Sequence, residues 1–320
     1  MQIAALAGGV GASKLLWGLY RAPEVQANPQ NVTIIVNTGD DLEMHGLTIC
    51  PDLDIVTYTL AGLVNPATGW GIDQDTFATL EYLGKYGRQT WFNLGDRDLA
   101  THIHRTDLLR HGSTLARCAD VIRTALGVRS RILPMSNDRV RTQIETSQGT
   151  LPFQDYLVKH RAVPKISGIR FEGVESARPA AGVLEALDKA DAIIICPSNP
   201  LISIGPILAV RGVREVLVHR RAHVIAVCPI VGGASLKGPS DKMMSELGLE
   251  VSAAGVAHLY RDIASTLVID EVDADRRGAI EKAGLSVEVT RTVMRTDEDK
   301  ERLAQFVLGV ARKAGVAAHA

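Results

Sequence analysis

The sequence is short of cysteine, of long apolar runs and of any excess of charge. Its four cysteines are widely separated and none belongs to a CxxC pair, which argues against a disulfide scaffold or a structural zinc site and favours a reducing cytoplasm. No run of about 18 apolar residues is present, so no membrane span is predicted. The 35 Lys+Arg balance 36 Asp+Glu to a net charge of -1, which argues against non-specific binding to nucleic acid, where a basic excess is expected.

Apolar residues, by contrast, are abundant enough for a large core. Of the 320 residues 46% are hydrophobic, and the mean hydropathy is +0.08, which predicts one large domain or two of moderate size. The first residues, MQIAALAGG, have no basic start and run directly into glycines. They therefore predict a strand, not a signal peptide.

The order of apolar runs and glycines predicts an α/β fold. Ile3 to Ala7 and Val32 to Val36 are short apolar runs typical of buried strands, and leucines at helical spacing lie between them. A strand, a helix and a strand in this order predict a doubly wound, mostly parallel, Rossmann-like sheet. The alternation returns late in the chain. We expect a discontinuous core of residues 1–64 and 181–320, with residues 65–180 inserted as a subdomain of mixed α and β structure.

The most polar stretch of the chain, residues 37–54, follows the second predicted strand. Its acidic and imidazole side chains are Asp40, Asp41, Glu43, His45, Asp52 and Asp54. A loop after a buried strand is where open α/β sheets bind ligands, and clustered carboxylates suit a Mg²⁺ that holds phosphate oxygens. The whole cluster therefore predicts a site. For Asp52 alone, directly after a proline, a helix N-cap is the simpler interpretation.

Three loops after predicted strands have residues suited to a phosphate or a nucleotide. The first has Gly9, Gly11 and Lys14 ahead of a helix, where backbone N–H groups and the helix start attract anions. It is neither a Walker A loop nor a complete GxGxxG. The other two loops contain Ser198 and Asn199, and Gly232 and Gly233. The alternative for the first loop is a tight strand-to-helix turn, and for the loop with Ser198 and Asn199 it is an ordinary turn with helix caps.

A further polar segment, LGDRDLATH, begins a predicted helix. Asp96 is a natural N-cap for that helix. Arg97, His102 and Arg105 could share one side of the helix, facing a phosphate. A lone histidine in such a position is more often structural than catalytic.

In this order the motifs resemble those of the 2-phospho-L-lactate transferases of deazaflavin coenzyme F-420 biosynthesis, the CofD/FbiA type. The resemblance covers nearly the whole chain. It includes the glycine loop with Lys14 and Leu15, NTGDD, HGL, PDLD, GWGI, DTF, LGDRDLATH, LPMS, PSNP, SIGPI and GPS. Each motif is weak alone, but the ordered set is highly specific. The resemblance implies an α/β core with an inserted subdomain, Mg²⁺ and a homodimer.

The resemblance also implies a reaction. A guanosine-diphosphate-linked acid, of the 2-phospho-L-lactate, phosphoenolpyruvate or 3-phosphoglycerate type, donates its phospho-acid part to the ribityl hydroxyl of the deazaflavin Fo, and GMP leaves. The family's two deazaflavin contacts correspond to Asp54 and Asn93, and the second is commonly Lys or Arg in the family. We expect Asp40 and Asp54 to contact the metal or accept the alcohol proton. Asp54→Asn should then abolish turnover and leave the fold intact.

In the same assignment, Lys14 and the two glycine loops hold the diphosphate, and Ser198 and Asn199 help to fix the guanosine side. Two other classes share parts of the pattern. A nucleotide-sugar-binding regulator without catalysis would share the glycine loop and the sheet, but LGDRDLATH and HGLTICPDLD favour the transferase. An NAD(P)-dependent oxidoreductase predicts a complete GxGxxG and an acidic residue at the end of the second strand, where this chain has Val36 and Asn37.

Overall fold

The computed structural model describes residues 1–318. Its strands are β1 (Ile3–Ala7), β2 (Val32–Val36), β3 (Leu42–Met44), β4 (Leu47–Ile49), β5 (Arg131–Pro134), β6 (Arg141–Thr146), β7 (Gly149–Pro152), β8 (Ile166–Glu172), β9 (Ala192–Ile195), β10 (Val224–Val227), β11 (Ile230–Val231), β12 (Ala234–Ser235), β13 (Thr266–Ile269) and β14 (Ser286–Val289). Its α-helices are α1 (Gly9–Arg21), α2 (Pro23–Ala27), α3 (Pro51–Leu60), α4 (Ala78–Lys85), α5 (Asp96–Arg110), α6 (Leu115–Ala125), α7 (Val183–Lys189), α8 (Gly205–Ala209), α9 (Val213–His219), α10 (Ser240–Glu246), α11 (Ala253–Tyr260), α12 (Arg277–Lys282) and α13 (Asp297–Ala318).

Within these residues, seven parallel strands form one sheet in the order β14-β13-β10-β9-β1-β2-β5. In its middle, Ala5 of β1 is in register with Ile34 of β2 on one side and Ile194 of β9 on the other. The chain builds outwards in both directions from β1, so the switch point of the sheet lies beside this strand. Ligands of such sheets bind outside the carboxyl ends of the strands at that point. The predicted α/β fold is confirmed.

Helices cover both faces of the sheet, because each central strand is apolar on both sides. Ala4 and Leu6 of β1 belong to one core, together with α7, α9 and α11. Ile3 and Ala5 belong to the second core, with α1, α3 and α13. The sheet is thus doubly wound, as continuous apolar strands require. In the part of the chain that the structure describes, no helix has the length and apolar character to cross a bilayer.

The range predicted as one insertion, residues 65–180, is not separate from the sheet. β5 lies inside this range and pairs with β2, with Ile34 in register with Ile132. The range therefore divides into α4 and α5 before β5, and a small antiparallel sheet in the order β7-β6-β8 after it. In that small sheet β6 and β7 form a hairpin, in which Thr146 pairs with Gly149. β5 thus belongs to the core sheet, although it lies within the range predicted as an insertion, and the predicted division is corrected at this point.

Candidate active site

A cavity of about 660 Å³ lies at the carboxyl ends of the central strands. The first glycine loop, the start of α3, the start of α5 and the loop after β9 all contribute to its wall. It brings together many of the residues predicted from the sequence: Gly9, Gly11, Lys14, Asp40, Asp54, Asn93, Ser198 and Asn199. The switch point of the sheet and the predicted site therefore coincide.

Two neighbouring buried carboxylates line the cavity. Asp40 and Asp52 are only 6% exposed each. Burial, followed by the charge of Asp52, raises the pKa of Asp40 well above its usual range. Burial also raises the pKa of Asp52, to about 6. Oδ1 of Asp40 has no hydrogen-bond partner among the described residues, so this oxygen is available to a cation or a polar hydrogen of a ligand.

Asp52 does not cap its own helix, in contrast to the simpler interpretation of the sequence. Its Oδ1 accepts a hydrogen bond from the N–H of Gly9 (2.8 Å), and its Oδ2 accepts one from Nδ2 of Asn37 (2.9 Å). Since Gly8 supplies no side-chain cap to α1, Asp52 satisfies one of the free N–H groups at the start of that helix. An anionic ligand can bind this N–H only after Asp52 has moved away.

The second acidic element is a buried polar network between α3 and α5. Asp54 and Tyr58 lie one turn apart on α3, and Asp98, His102 and Arg105 lie on one face of α5. The Arg105 guanidinium donates to both carboxylate oxygens of Asp54, and the Tyr58 hydroxyl donates to Asp98 (2.7 Å). Burial alone would raise the pKa of Asp98, but the polar hydrogens of His102 and Tyr58 and the charge of Arg105 lower it overall.

His102 lies between the two carboxylates of this network. Its Nδ1 is 3.6 Å from Oδ2 of Asp54, and its Nε2 is 3.2 Å from Oδ2 of Asp98 without hydrogen-bond alignment. The three side chains together offer ligand atoms that all lie within 4.8 Å of one another. Of the three residues predicted to share one side of this helix, His102 and Arg105 are buried together, whereas Arg97 is exposed.

The cavity also has two lysines in its lining. Lys14 and Lys237 both line it, and their ammonium groups donate to backbone carbonyls, that of Lys14 to Met294 (2.9 Å) and that of Lys237 to Thr68. Burial, followed by the charges of Lys237 and Lys300, lowers the pKa of Lys14. Carbonyl oxygens offset little of the repulsion between neighbouring cations, so a bound anion would stabilise this pair of lysines.

The loop after β9 is tied to the first glycine loop. Oγ of Ser198 donates to the carbonyl of Gly8 (2.9 Å), and Asn199 caps the next turn by accepting from the N–H of Leu201 (2.9 Å). The two loops also approach each other closely at Gly11, where a Cβ would lie 2.2 Å from the carbonyl oxygen of Pro197. These three predicted site residues line the cavity and also hold its wall together.

Gly232 and Gly233 form the turn between β11 and β12. Their φ angles are 60° and 78°, the paired positive values of a two-residue type I′ hairpin turn. The N–H of Gly232 donates to the carboxylate of Asp273. Pro229 and Val231 before the turn, and the stretch from Leu236 to Ser240 after it, line the cavity. The two glycines therefore form the turn, and the residues on either side of it contact the cavity.

Asp96 and Arg97 begin α5, and Asp96 takes part in an exchange of helix caps. The Asp96 carboxylate accepts hydrogen bonds from the first two N–H groups of α4 (3.0 and 2.9 Å). In return, Asp75, which precedes α4, accepts from the N–H groups of Arg97 and Asp98 (2.9 and 3.1 Å). The Arg97 guanidinium donates to a backbone carbonyl of the same loop. In this structure both residues hold the helix starts together.

Asp41 and His45 line a second cavity, of about 720 Å³, on the far side of Asp40. The two cavities share Asp40, Phe153 and Gln154. Burial raises the pKa of Asp41 to about 7, although the charge of Arg141 opposes this shift. The acidic stretch predicted as one site is therefore divided between two cavities that meet at Asp40.

The raised pKa of Asp41 predicts a measurable pH dependence of stability. Because its pKa is near 3.8 in the unfolded chain and about 7 in the folded one, the folded state binds more protons between these values. This contribution to the free energy of unfolding therefore falls as pH rises from about 4 to 7, by up to about 4 kcal/mol. Asp41→Asn should remove it in chemical denaturation at pH 5 and pH 8. The exposed Asp188→Asn is the control, and an unchanged pH dependence in Asp41→Asn would contradict the prediction.

The fold and this cavity place the protein among the α/β proteins that bind ligands at the switch point of a parallel sheet. The family model described as "2-phospho-L-lactate transferase CofD" matches residues 3–310. The chain therefore belongs to the CofD family of transferases, and the resemblance in the motifs is confirmed.

Curated relatives agree with this assignment. A protein of Methanothermobacter thermautotrophicus named 2-phospho-L-lactate transferase is 42% identical over 308 residues, which cover 96% of this chain and 97% of the relative. A protein of Streptomyces griseus named phosphoenolpyruvate transferase is 42% identical over 305 residues, covering 93% and 94%. A solved structure of the Bacillus halodurans protein BH3568, titled as a member of the UPF0052 family, is 19% identical with a TM-score of 0.63 and covers 96% of this chain and 98% of that one. At this identity it supports the fold alone.

Proposed function

We propose that this chain transfers the phospho-acid part of a guanosine-diphosphate-linked small acid to the ribityl hydroxyl of the deazaflavin Fo, with release of GMP. The observation that carries the proposal is that one cavity is lined both by buried carboxylates and by the two lysines Lys14 and Lys237. Transfer of a phosphate group to an alcohol needs its charge neutralised and the alcohol proton accepted. The family membership and the names of the relatives give the substrate class.

The residues present fit Mg²⁺. Asp40 has a buried carboxylate oxygen that finds no partner among the described residues, and its neighbour Asp52 adds a second negative charge that a cation would offset. Asp40 and Asp54 would hold the ion, with the carboxylate of Asp98 beside Asp54 as a further source of oxygen ligands. When bound, Mg²⁺ neutralises phosphate oxygens, and oxygen ligands are those it prefers.

The remaining roles follow from the position of each side chain. Lys14 and Lys237 would bind the diphosphate by exchanging their carbonyl partners for phosphate oxygens. The apolar side of the cavity, with Trp70 and Phe92 next to Asn93, would pack against the deazaflavin. Asp54 or Asp40 would accept the proton of the ribityl hydroxyl. Ser198 and Asn199 would support the guanosine side, and the homodimer and cytoplasmic location expected from the sequence belong to the same proposal.

The test is a direct assay of transfer. The protein is incubated with Fo, Mg²⁺ and, separately, each of the three guanosine-diphosphate-linked acids, and GMP and the phosphodiester are measured by mass spectrometry. We expect product with one donor, and none after EDTA removes the metal. An absence of product with every donor, together with tight binding of a nucleotide sugar, would replace the proposal with the regulator function.

A further inference from the structure

Arg105 is the largest fully buried side chain of the structure's described residues and is 2% exposed. It lies on α5 behind Asp54, whereas Asp54, Asp98 and His102 line the cavity. An isolated buried guanidinium is costly, so its retention requires partners for its donors. The hydrogen-bond acceptors around Arg105 therefore indicate the role of this buried charge.

The guanidinium is fixed from three directions. Nη1 and Nη2 donate to the two oxygens of Asp54, with Nη1 at 3.1 Å from Oδ2. Nη1 also lies 3.3 Å from the carbonyl oxygen of Thr48 and 3.3 Å from Nδ1 of His102. A guanidinium only donates, so Nδ1 can only accept from it, and the Nη1 hydrogen that does not point at Asp54 is shared between Nδ1 and the carbonyl of Thr48. A neutral His102 then has its proton on Nε2, beside Asp98.

We infer that Arg105 is a positioning residue for the transfer reaction: its planar fork fixes the Asp54 carboxylate in the one orientation that faces the cavity, and the same group fixes the orientation of His102. This inference rests on the proposed function. Two parallel hydrogen bonds set the plane of a carboxylate, which a point charge cannot do. The Arg105 guanidinium also donates to the carbonyl of Thr48, which is not part of the ion pair. This contact prevents Asp54 and Arg105 from rotating together.

Arg105→Lys is the test, because it keeps the buried positive charge and removes the fork. We expect kcat to fall about 10- to 100-fold, as small displacements of reacting groups typically cost. KM for both substrates should change by less than about threefold. Arg123→Lys is the matched control, since Arg123 is also partly buried and paired with an acid one turn away, Asp120. It should leave kcat within about twofold of wild type, because it lies on α6, away from the cavity.

Chemical rescue of Arg105→Ala distinguishes a positioning role from a purely structural one. Added guanidinium at millimolar concentration should occupy the space left by the side chain and restore part of kcat, whereas added ammonium should not. Wild-type kcat in Arg105→Lys, or a folded Arg105→Ala variant that guanidinium does not rescue, would overturn the inference. If Arg105→Ala does not fold, Arg105→Lys alone decides. A wild-type protein without transfer activity would overturn the proposed function, and this inference with it.

Discussion

Asp54→Asn is expected to lower turnover by about 10³-fold, the loss typical of a positioned acid–base group, and to lower the free energy of unfolding by about 3 to 5 kcal/mol. The second effect arises because Arg105 would keep its charge in a buried site after its carboxylate partner is gone. The sequence predicts that this variant leaves the fold intact, and the ion pair adds the expectation that the folded state is less stable. Turnover with the cognate donor and urea denaturation measure the two effects.

A double variant separates the role of Asp54 in the reaction from its role in the ion pair. Asp54→Asn combined with Arg105→Gln removes both charges and leaves two amides that can bond to each other, so most of the lost stability should return. Turnover should stay low. Glu301→Gln is the control, since it breaks an exposed pair with Arg21 and should cost less than about 1 kcal/mol. Wild-type turnover in Asp54→Asn, or equal instability of the single and double variants, would contradict this account.

Gly11→Ala is expected to destabilise the protein by about 3 kcal/mol or more. The added Cβ would lie 2.2 Å from the carbonyl oxygen of Pro197. The position of a Cβ is fixed by its backbone and the carbonyl is itself backbone, so no side-chain rotation relieves the overlap. The helix start would have to move away from the loop that contains Ser198, and activity should be lost with it.

Gly309→Ala in α13 is the matched control for this substitution. It also lies within a helix, but a Cβ there would meet no atom of a neighbouring element within 4 Å among the residues that the structure describes. It should therefore stabilise the protein by about 0.5 to 1 kcal/mol, the usual gain of alanine over glycine in a helix. Thermal denaturation of both variants measures the two shifts, and shifts of the same sign would contradict the prediction.

The central strands could be predicted from the sequence because buried parallel strands are short, continuous apolar runs. AIIIC and HVIAVC became β9 and β10, and both lie in the middle of the sheet. β5 could not be assigned in the same way. It has four residues, one of them exposed, and it lies at the edge of the sheet. Nothing local distinguishes such a strand from one arm of a hairpin, so its pairing with β2 is information that the tertiary structure supplies.

The contacts within the site are also of two kinds: some join residues close in sequence and can be predicted, and others join distant residues and cannot. Asp98, His102 and Arg105 lie at the spacing of one helix face, so their proximity was present in the sequence. Their contact with Asp54, which lies more than 40 residues earlier, could not be predicted from that spacing. Asp52 is the clearest case, since the Gly9 N–H that it accepts from is 43 residues away. A carboxylate after a proline at a helix start has a local interpretation, and only the packing of α1 against α3 replaces it.

The exchanged caps of α4 and α5 have a consequence for local unfolding. Asp96 completes the start of α4 and Asp75 completes the start of α5, so opening either helix start leaves the other with unpaired N–H groups. Each free donor adds to the cost of a partial opening. The segment from Asp75 to Asp98 should therefore open as one cooperative unit, and its amide hydrogens at both helix starts should exchange with solvent at a common rate.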